Sequence, residues 1–244
     1  MYAHRLELCV LTPYCRSFDS IVSAYEELAG TVLLTLHMEV RCRILRSLEV
    51  TLSPQTAPYV LRDQEVKEPD PEILSLNAEL IAYDETAARF LREREIAFVR
   101  TGLGRLTGAY LVANALATQP MDRRGCERML LNVLVLQQNL KNVEEGVDLA
   151  RAANYYALFQ EGPDRIVEKA KADAAAMAAA AADGADAQAQ QIPEAQRFTY
   201  DELKALLELC YSEQLADPER GVAAAAKRKM GEKVLALSEH MWQS

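Results

Sequence analysis

Residues 17–51 read SFDSIVSAYEELAGTVLLTLHMEVRCRILRSLEVT. Phe18, Ile21, Val22, Tyr25, Leu28, Ala29, Val32, Leu33, Leu36, Val40, Ile44 and Leu48 recur at three- and four-residue steps. That is the period of one helix face, and charged residues such as Glu26, Glu27, Glu39 and Arg43 fall mostly between them. The spacing predicts a single helix of about 35 residues, roughly 50 Å long, well beyond an ordinary globular helix. An element of that length predicts a rod or an extended bundle, its stripe packed against the helices that follow.

The rest of the chain repeats the pattern. Residues 53–71 hold four prolines and predict a connector, in which Tyr59-Val60-Leu61 could be a short extended piece. Asp70 and Pro71 are placed as cap and first turn of a second helix running to about Arg94. Residues 96–118 resume the helical period, continuous or kinked near Gly102 and Gly104, and helices are expected over 126–142, 144–160 and 164–177. From 170 to 189, 13 of 20 residues are alanine with no large apolar stripe, which predicts a weakly packed, partly helical insert. Thr199-x-x-Glu202 is a capping box ahead of another helix, and a last one spans about 218–242. Seven or eight helices and no strand alternation predict an all-α fold of elongated, stacked helical bundles. The expected division is an N-terminal segment 1–16, a helical core 17–169, the alanine-rich insert 170–193 and a C-terminal helical pair 194–244.

Composition agrees with this and narrows the chemistry. The 244 residues contain only 10 glycines and 9 prolines, too few for turn-dense β architectures. The net charge of −9 argues against general nucleic-acid binding, which needs a basic surface. Five cysteines without a CxxC pair, and three histidines, support neither a disulfide framework nor a zinc site and predict a reducing compartment. No leader segment stands out in the first residues, and no apolar run approaches the ~18 residues of a membrane span.

The most enzyme-like string is TGLGRLTG at 101–108. Gly102, Gly104 and Gly108 could line a phosphate at a helix N-terminus, or simply let two helices approach closely. No βαβ alternation surrounds them, which favours close packing. Tyr200 and Lys204 have the spacing of a dehydrogenase pair, which is also one helix turn. His37 lacks an identifiable nucleophile or orienting partner and is expected in boundary packing. Cys42 and Cys126 are expected in the core. The carboxylate pairs Glu26/Glu27, Asp84/Glu85 and Glu144/Glu145 are adjacent on helices, so each pair diverges by ~100° and predicts solvated faces. Three basic clusters occur: Arg41, Arg43 and Arg46; Arg89, Arg92 and Arg94; Lys227, Arg228 and Lys229. The last could touch anionic headgroups, although a solvated face is the plainer expectation. No catalytic, cofactor-binding or metal-binding residue is assigned, and no cofactor is expected.

Three strings carry a resemblance: TLHMEVRCR at 35–43, FVRTGLGRLTGAYLVAN at 98–114 and MLLNVLVLQQNL at 129–140. With ARAANYYALF at 150–159, their order and spacing resemble the C-terminal region of exocyst complex component four. The resemblance covers about 17–159 well and 199–242 loosely. It implies a non-catalytic subunit of an eight-subunit complex that holds secretory vesicles at the plasma membrane before fusion, with a fold of stacked helical bundles. It implies the other exocyst subunits as partners, small GTPases and fusion proteins reached through the complex, and indirect membrane contact. The implied location is cytoplasmic and peripheral at sites of polarised secretion. A full family member is several times longer. The classes left as alternatives are a nucleotide-dependent enzyme using Gly102–Gly108 and a peripheral lipid-binding helical module.

Overall fold

A computed structural model describes residues 3–55, 58–182 and 197–241, with side chains described from residue 18 and up to residue 176 in the middle segment. Among these residues the fold is nine α-helices and one 3-10 turn. The helices are α1 (Ala3–Leu52), α2 (Pro71–Ala87), α3 (Glu93–Arg100), α4 (Leu103–Ala113), α5 (Arg123–Lys141), α6 (Ala150–Glu161), α7 (Pro163–Ala182), α8 (Tyr200–Leu215) and α9 (Arg220–Met241). The 3-10 turn, Ala115–Thr118, follows α4. Among the described residues the single extended contact is an isolated bridge between Tyr59 and Met121. The all-α expectation is met, including an extended fragment at Tyr59.

Packing runs along the chain in overlapping groups. The second half of α1 lies against α2, α3 and α4; α5 and α6 bridge to α2 and α4; α7, α8 and α9 pack on one another and back onto α6. One continuous core joins them, from Val40, Ile44, Leu48 and Leu52 on α1 through Met129, Leu136 and Tyr156 to Leu206 and Leu237.

Several expected boundaries move for local reasons. Helix α1 is longer than its apolar pattern predicted, 50 residues and so about 75 Å. Its stripe is only half used. Leu33 and Leu36 are partly buried and Val40, Ile44 and Leu48 fully, whereas Phe18, Ile21, Tyr25, Leu28 and Val32 are exposed. The 17-residue α2 is too short to cover a 50-residue partner. The second helix stops at Ala87 instead of Arg94, because Glu95 reaches back to the Arg92 backbone N–H (2.8 Å) and starts α3 afresh. The helix expected from residue 144 begins at Ala150, with Val147 and Leu149 buried ahead of it. On α2, Leu74 and Ile81 face solvent, and Phe90 just beyond it is the most exposed large apolar residue among those described.

Asp70 occupies the cap position of α2, but its side chain does not cap. It joins a buried polar cluster instead. Asn132 of α5 donates to its carboxylate and accepts from its backbone N–H (2.9 Å). The Tyr59 hydroxyl donates to the Thr51 carbonyl (2.9 Å) and lies 3.3 Å from the same carboxylate. Arg128 stacks 4.8 Å above the Tyr59 ring, with Nε 3.2 Å from Asp70. Burial first, then the neighbouring carboxylate, pushes the Tyr59 hydroxyl well above its usual pKa. The cluster fixes the proline-rich connector to the start of α5. There Asp122 caps the helix by accepting from the Gly125 N–H (2.6 Å), while its own N–H donates to the Tyr59 carbonyl (2.9 Å). The capping box at the start of α8 forms as expected, with Thr199 and Glu202 exchanging hydrogen bonds. The alanine-rich stretch is helical as far as Ala182, and Ala170 is buried. Residues 183–193 of the expected insert, and 194–196 of the expected C-terminal pair, lie outside the described residues.

Candidate functional site

The glycine string lies where α3 ends and α4 begins, and both helix ends there are already satisfied. The α4 N-terminus presents the free N–H groups of Gly102 and Gly104, which would suit an anion. Both donate to the carboxylate of Glu144, at 2.9 Å for Gly104. The opposite pole is closed by Arg41 of α1, which donates to the carbonyls of His37 (2.8 Å) and Thr101 and approaches that of Val99 at 3.4 Å. Burial lowers the Arg41 pKa and the nearby Glu144 charge opposes it. The position a phosphate would take is therefore held by an internal carboxylate.

The spacing of the glycines answers to packing. A Cβ on Gly104 would come within 2.8 Å of Val147, and one on Gly108 within 3.4 Å of Leu149. Their absence lets the 143–149 loop rest directly on α4. The close-packing reading of the string holds, and the nucleotide reading loses its anion slot.

The other candidate residues disperse. His37 stacks on Phe98 (4.8 Å between centroids) and its Nδ1 donates to the Phe98 carbonyl (3.0 Å), the boundary packing expected of it. Cys126 is buried with its thiol against the Tyr156 carbonyl, but Cys42 is exposed. Its position on α1 falls off the stripe that meets α2, so the core expectation fails for it. Glu26 and Glu27 are solvated as expected. Asp84 is instead half-buried and accepts from Arg100 (2.6 Å), and Glu144 is engaged as above. Of the basic clusters, Arg41 is drawn into the α3–α4 joint. Arg43 pairs with Glu39 (3.0 Å), and Arg89, Arg92 and Arg94 are exposed. Lys227, Arg228 and Lys229 are exposed on α9, with Arg228 paired to Glu232 (3.0 Å). Tyr200 and Lys204 share a turn of α8 without a cofactor fold around them; Lys204 lies 4.0 Å from Glu208.

Two features were not anticipated. The first is the bond between Glu144 and the α4 N-terminus, which joins residues about forty apart and leaves no local pattern. The second is a groove of about 830 Å³ between α4, the 143–149 loop, α6, α7 and the start of α8. Its floor includes Gly104, Gly108, Leu149 and Leu203. On its wall Arg151 forms a two-pronged contact with Glu202 (2.7 and 2.8 Å) and lies 5.3 Å over Phe198. Among the described residues no three metal-ligating side chains converge, and no helix is long and apolar enough to cross a membrane. Among the described residues α1 also exposes Phe18, Ile21, Val22, Tyr25, Leu28 and Val32.

No protein-family model matches the chain. It is 58% identical over 247 aligned residues to a probable exocyst complex component sec8 of Neurospora crassa, an alignment covering 93% of this chain and 22% of that protein. It is 31% identical to exocyst complex component 4 of Drosophila melanogaster over 59% of the chain and 15% of the relative. With the human exocyst complex component 4 it shares 26% over 62% of the chain and 16% of the relative. The chain thus spans about a fifth or less of the length of the curated relatives it matches. Identity of 58% across nearly the whole chain leaves no room for chance similarity, and the chain belongs to the exocyst complex component 4 (sec8) family.

Proposed function

We propose that this chain is part of a non-catalytic exocyst subunit that tethers secretory vesicles to the plasma membrane before fusion, acting through helix-bundle contacts with protein partners. The observation that carries the reading is the 58% identity to the Neurospora sec8 protein over 93% of the chain. The filled anion slot at Gly102 and Gly104 supports the non-catalytic part. On this reading the partners are the other exocyst subunits, with small GTPases and fusion proteins met through the complex. Membrane contact is indirect, nucleic acid is no partner, and the working location is the cytoplasmic side of the plasma membrane at sites of polarised secretion. The chain corresponds to the C-terminal region of a family member. It divides into a bundle core at 17–169, an alanine-rich insert at 170–193 and a C-terminal helical pair at 194–244, with residues 1–16 preceding the core.

The test is deletion of residues 17–244 from the gene in its natural setting, scored for secretion and for recovery of the other subunits. Vesicles accumulating unfused near growth sites is the expected result. Normal secretion with an intact complex overturns the tethering role of this region. A nucleotide-dependent activity lost on Gly102→Val overturns the non-catalytic reading.

A further inference from the structure

The groove between α4, the 143–149 loop, α6, α7 and the start of α8 is a concave site that the tethering reading leaves unused. Its volume of about 830 Å³ falls in the range of ~300–1,000 Å³ usual for ligand clefts. Among the described residues, and apart from its charged groups and Thr199, the lining is made only of glycine, alanine, valine, leucine, phenylalanine and methionine. Ala109 and Gly146 are exposed in it, and Leu149 and Leu203 are buried at its floor.

The charged groups decide what the groove takes. Its three carboxylates are already engaged. Glu144 accepts from the N–H groups of Gly102 and Gly104, Asp148 from that of Ala150 (2.7 Å), and Asp173 from Lys169 (2.7 and 2.8 Å). Arg151 is held by Glu202, and the Thr199 hydroxyl accepts from the Glu202 N–H. Arg105 on α4 and Arg197 ahead of α8 differ. Both are exposed, and among the described residues neither guanidinium makes an ion pair or a hydrogen bond. Two free guanidiniums on separate chain segments of one groove match a ligand with two spaced anionic groups and an apolar part. A fatty acid has one carboxylate and leaves one arginine bare. A phosphate finds the α4 N-terminus filled by Glu144. Nucleic acid needs a broader basic surface than two arginines on a chain of net charge −9.

We infer that the groove docks a short acidic segment of a partner protein, in which a pair of Asp or Glu residues brackets an apolar one. The carboxylates meet Arg105 and Arg197, and the apolar side chain rests in the groove. A polypeptide is the ligand that carries spaced carboxylates on one backbone, and the glycine and alanine of the lining let such a backbone come close. The inference deepens the protein-contact reading above and rests on it for the partner being a protein. That reading is tested by secretion after deletion, and this one by what attaches in the groove and how the attachment depends on charge, so the two fail separately.

The experiment places a photo-crosslinker in the groove as Ala109→p-benzoylphenylalanine, in the longest polypeptide the cell makes from this gene and in its native assembly. Ala109 is exposed, so the substitution leaves the core intact. After irradiation in cells and digestion, mass spectrometry identifies what is attached. The expected product is a segment of a different polypeptide with the bracketed acidic pattern. Arg105→Glu with Arg197→Glu should lower its yield by about tenfold, while Arg105→Lys with Arg197→Lys keeps most of it. A synthetic peptide of the attached sequence should bind the purified polypeptide, and its version with Asn and Gln for Asp and Glu should bind about tenfold more weakly. Attachment to the same polypeptide, to a second copy, to lipid or to a segment without acidic residues overturns the inference. So do the absence of attachment, a yield indifferent to the charge reversal, and a synthetic peptide that does not bind.

Discussion

Replacing Gly125 by alanine tests the way the connector is held. Gly125 sits in the first turn of α5, under the backbone of Tyr59. A Cβ there would lie 2.6 Å from the carbonyl carbon and 2.9 Å from the Cα of Tyr59, and closer still to the carbonyl oxygen. The obstruction is main chain, which cannot rotate aside as a side-chain tip can. To restore contact distance the connector must move by about 1.5 Å, an overpacking displacement that costs ~1–3 kcal/mol. The same movement breaks the Asp122 N–H bond to the Tyr59 carbonyl (2.9 Å) and strains the Tyr59 hydroxyl bond to Thr51 (2.9 Å). Each is worth ~1 kcal/mol. Alanine recovers up to ~1 kcal/mol through its better helix propensity. The net expectation is a loss of about 3 kcal/mol, or a fall in Tm of roughly 6–12 °C for a chain of this size. Far-UV circular dichroism during heating measures it. Gly30→Ala is the internal control. Gly30 lies inside α1 with no atom within 4 Å of an added Cβ, so the change should stabilise by ~0.5–1 kcal/mol. If Gly125→Ala melts with or above the parent protein, the connector does not rest on α5 as described.

Four further outcomes are expected. Ile44→Ala, at a fully buried site, should cost ~2–5 kcal/mol, whereas Phe18→Ala on the projecting part of α1 should stay within ~0.5 kcal/mol; matched denaturant titrations compare them. Gly104→Val should destabilise by ~1–3 kcal/mol by driving into Val147, and hydrogen exchange should locate the loosening in the 143–149 loop. Stability should decline as pH rises above ~9, because burial pushes the Cys210 thiol up to about 12 from 9.0 and raises Cys126, Tyr59, Tyr155 and Tyr156 as well. The folded state keeps these protons and the unfolded chain releases them, so the stabilisation is complete below the unfolded values and each group loses ~1.4 kcal/mol per pH unit above its own; a flat profile from pH 8 to about 11 would contradict the burial. In a Cys9→Ser, Cys15→Ser background, a thiol reagent should label Cys42 at once, the half-buried Cys210 more slowly and Cys126 only on unfolding, as peptide mass mapping would show.

The helical class was legible because α1, α5 and α8 carry their own evidence: a stripe at helical spacing, and at Thr199 a capping pair that forms as written. What escaped was decided by contacts between distant residues. Asp70 beside Pro71 has the local signature of a helix cap. Asn132, Tyr59 and Arg128 outbid the local bond from the far side of the core. Residues 144–149 continue a helical pattern, yet Glu144 is taken by the N–H groups of Gly102 and Gly104, and the chain stays open until Ala150. The glycine string was ambiguous for the same reason, since phosphate binding and close packing ask for the same small residues. Only the position of Glu144 and Val147 separates them. On α1, the apolar period marks side chains fit for burial, but among the described ones only those from Leu33 onward meet the core.

The proportions of α1 have a mechanical consequence. From Leu33 to Leu52 the helix is gripped over about 28 Å, and from Phe18 to Leu33 its side chains stand clear of that grip over about 22 Å. Treated as a lever pivoting at the edge of the bundle, a sideways push at Phe18 is met by a resisting force about four-fifths as large at the far end of the grip. Small, close-packed residues would yield there. The side chains stationed there are Leu48, Thr51 and Leu52, all buried, with Tyr59 locked to Thr51 behind them. A second support anywhere along the free arm would shorten the lever and take that load off the core.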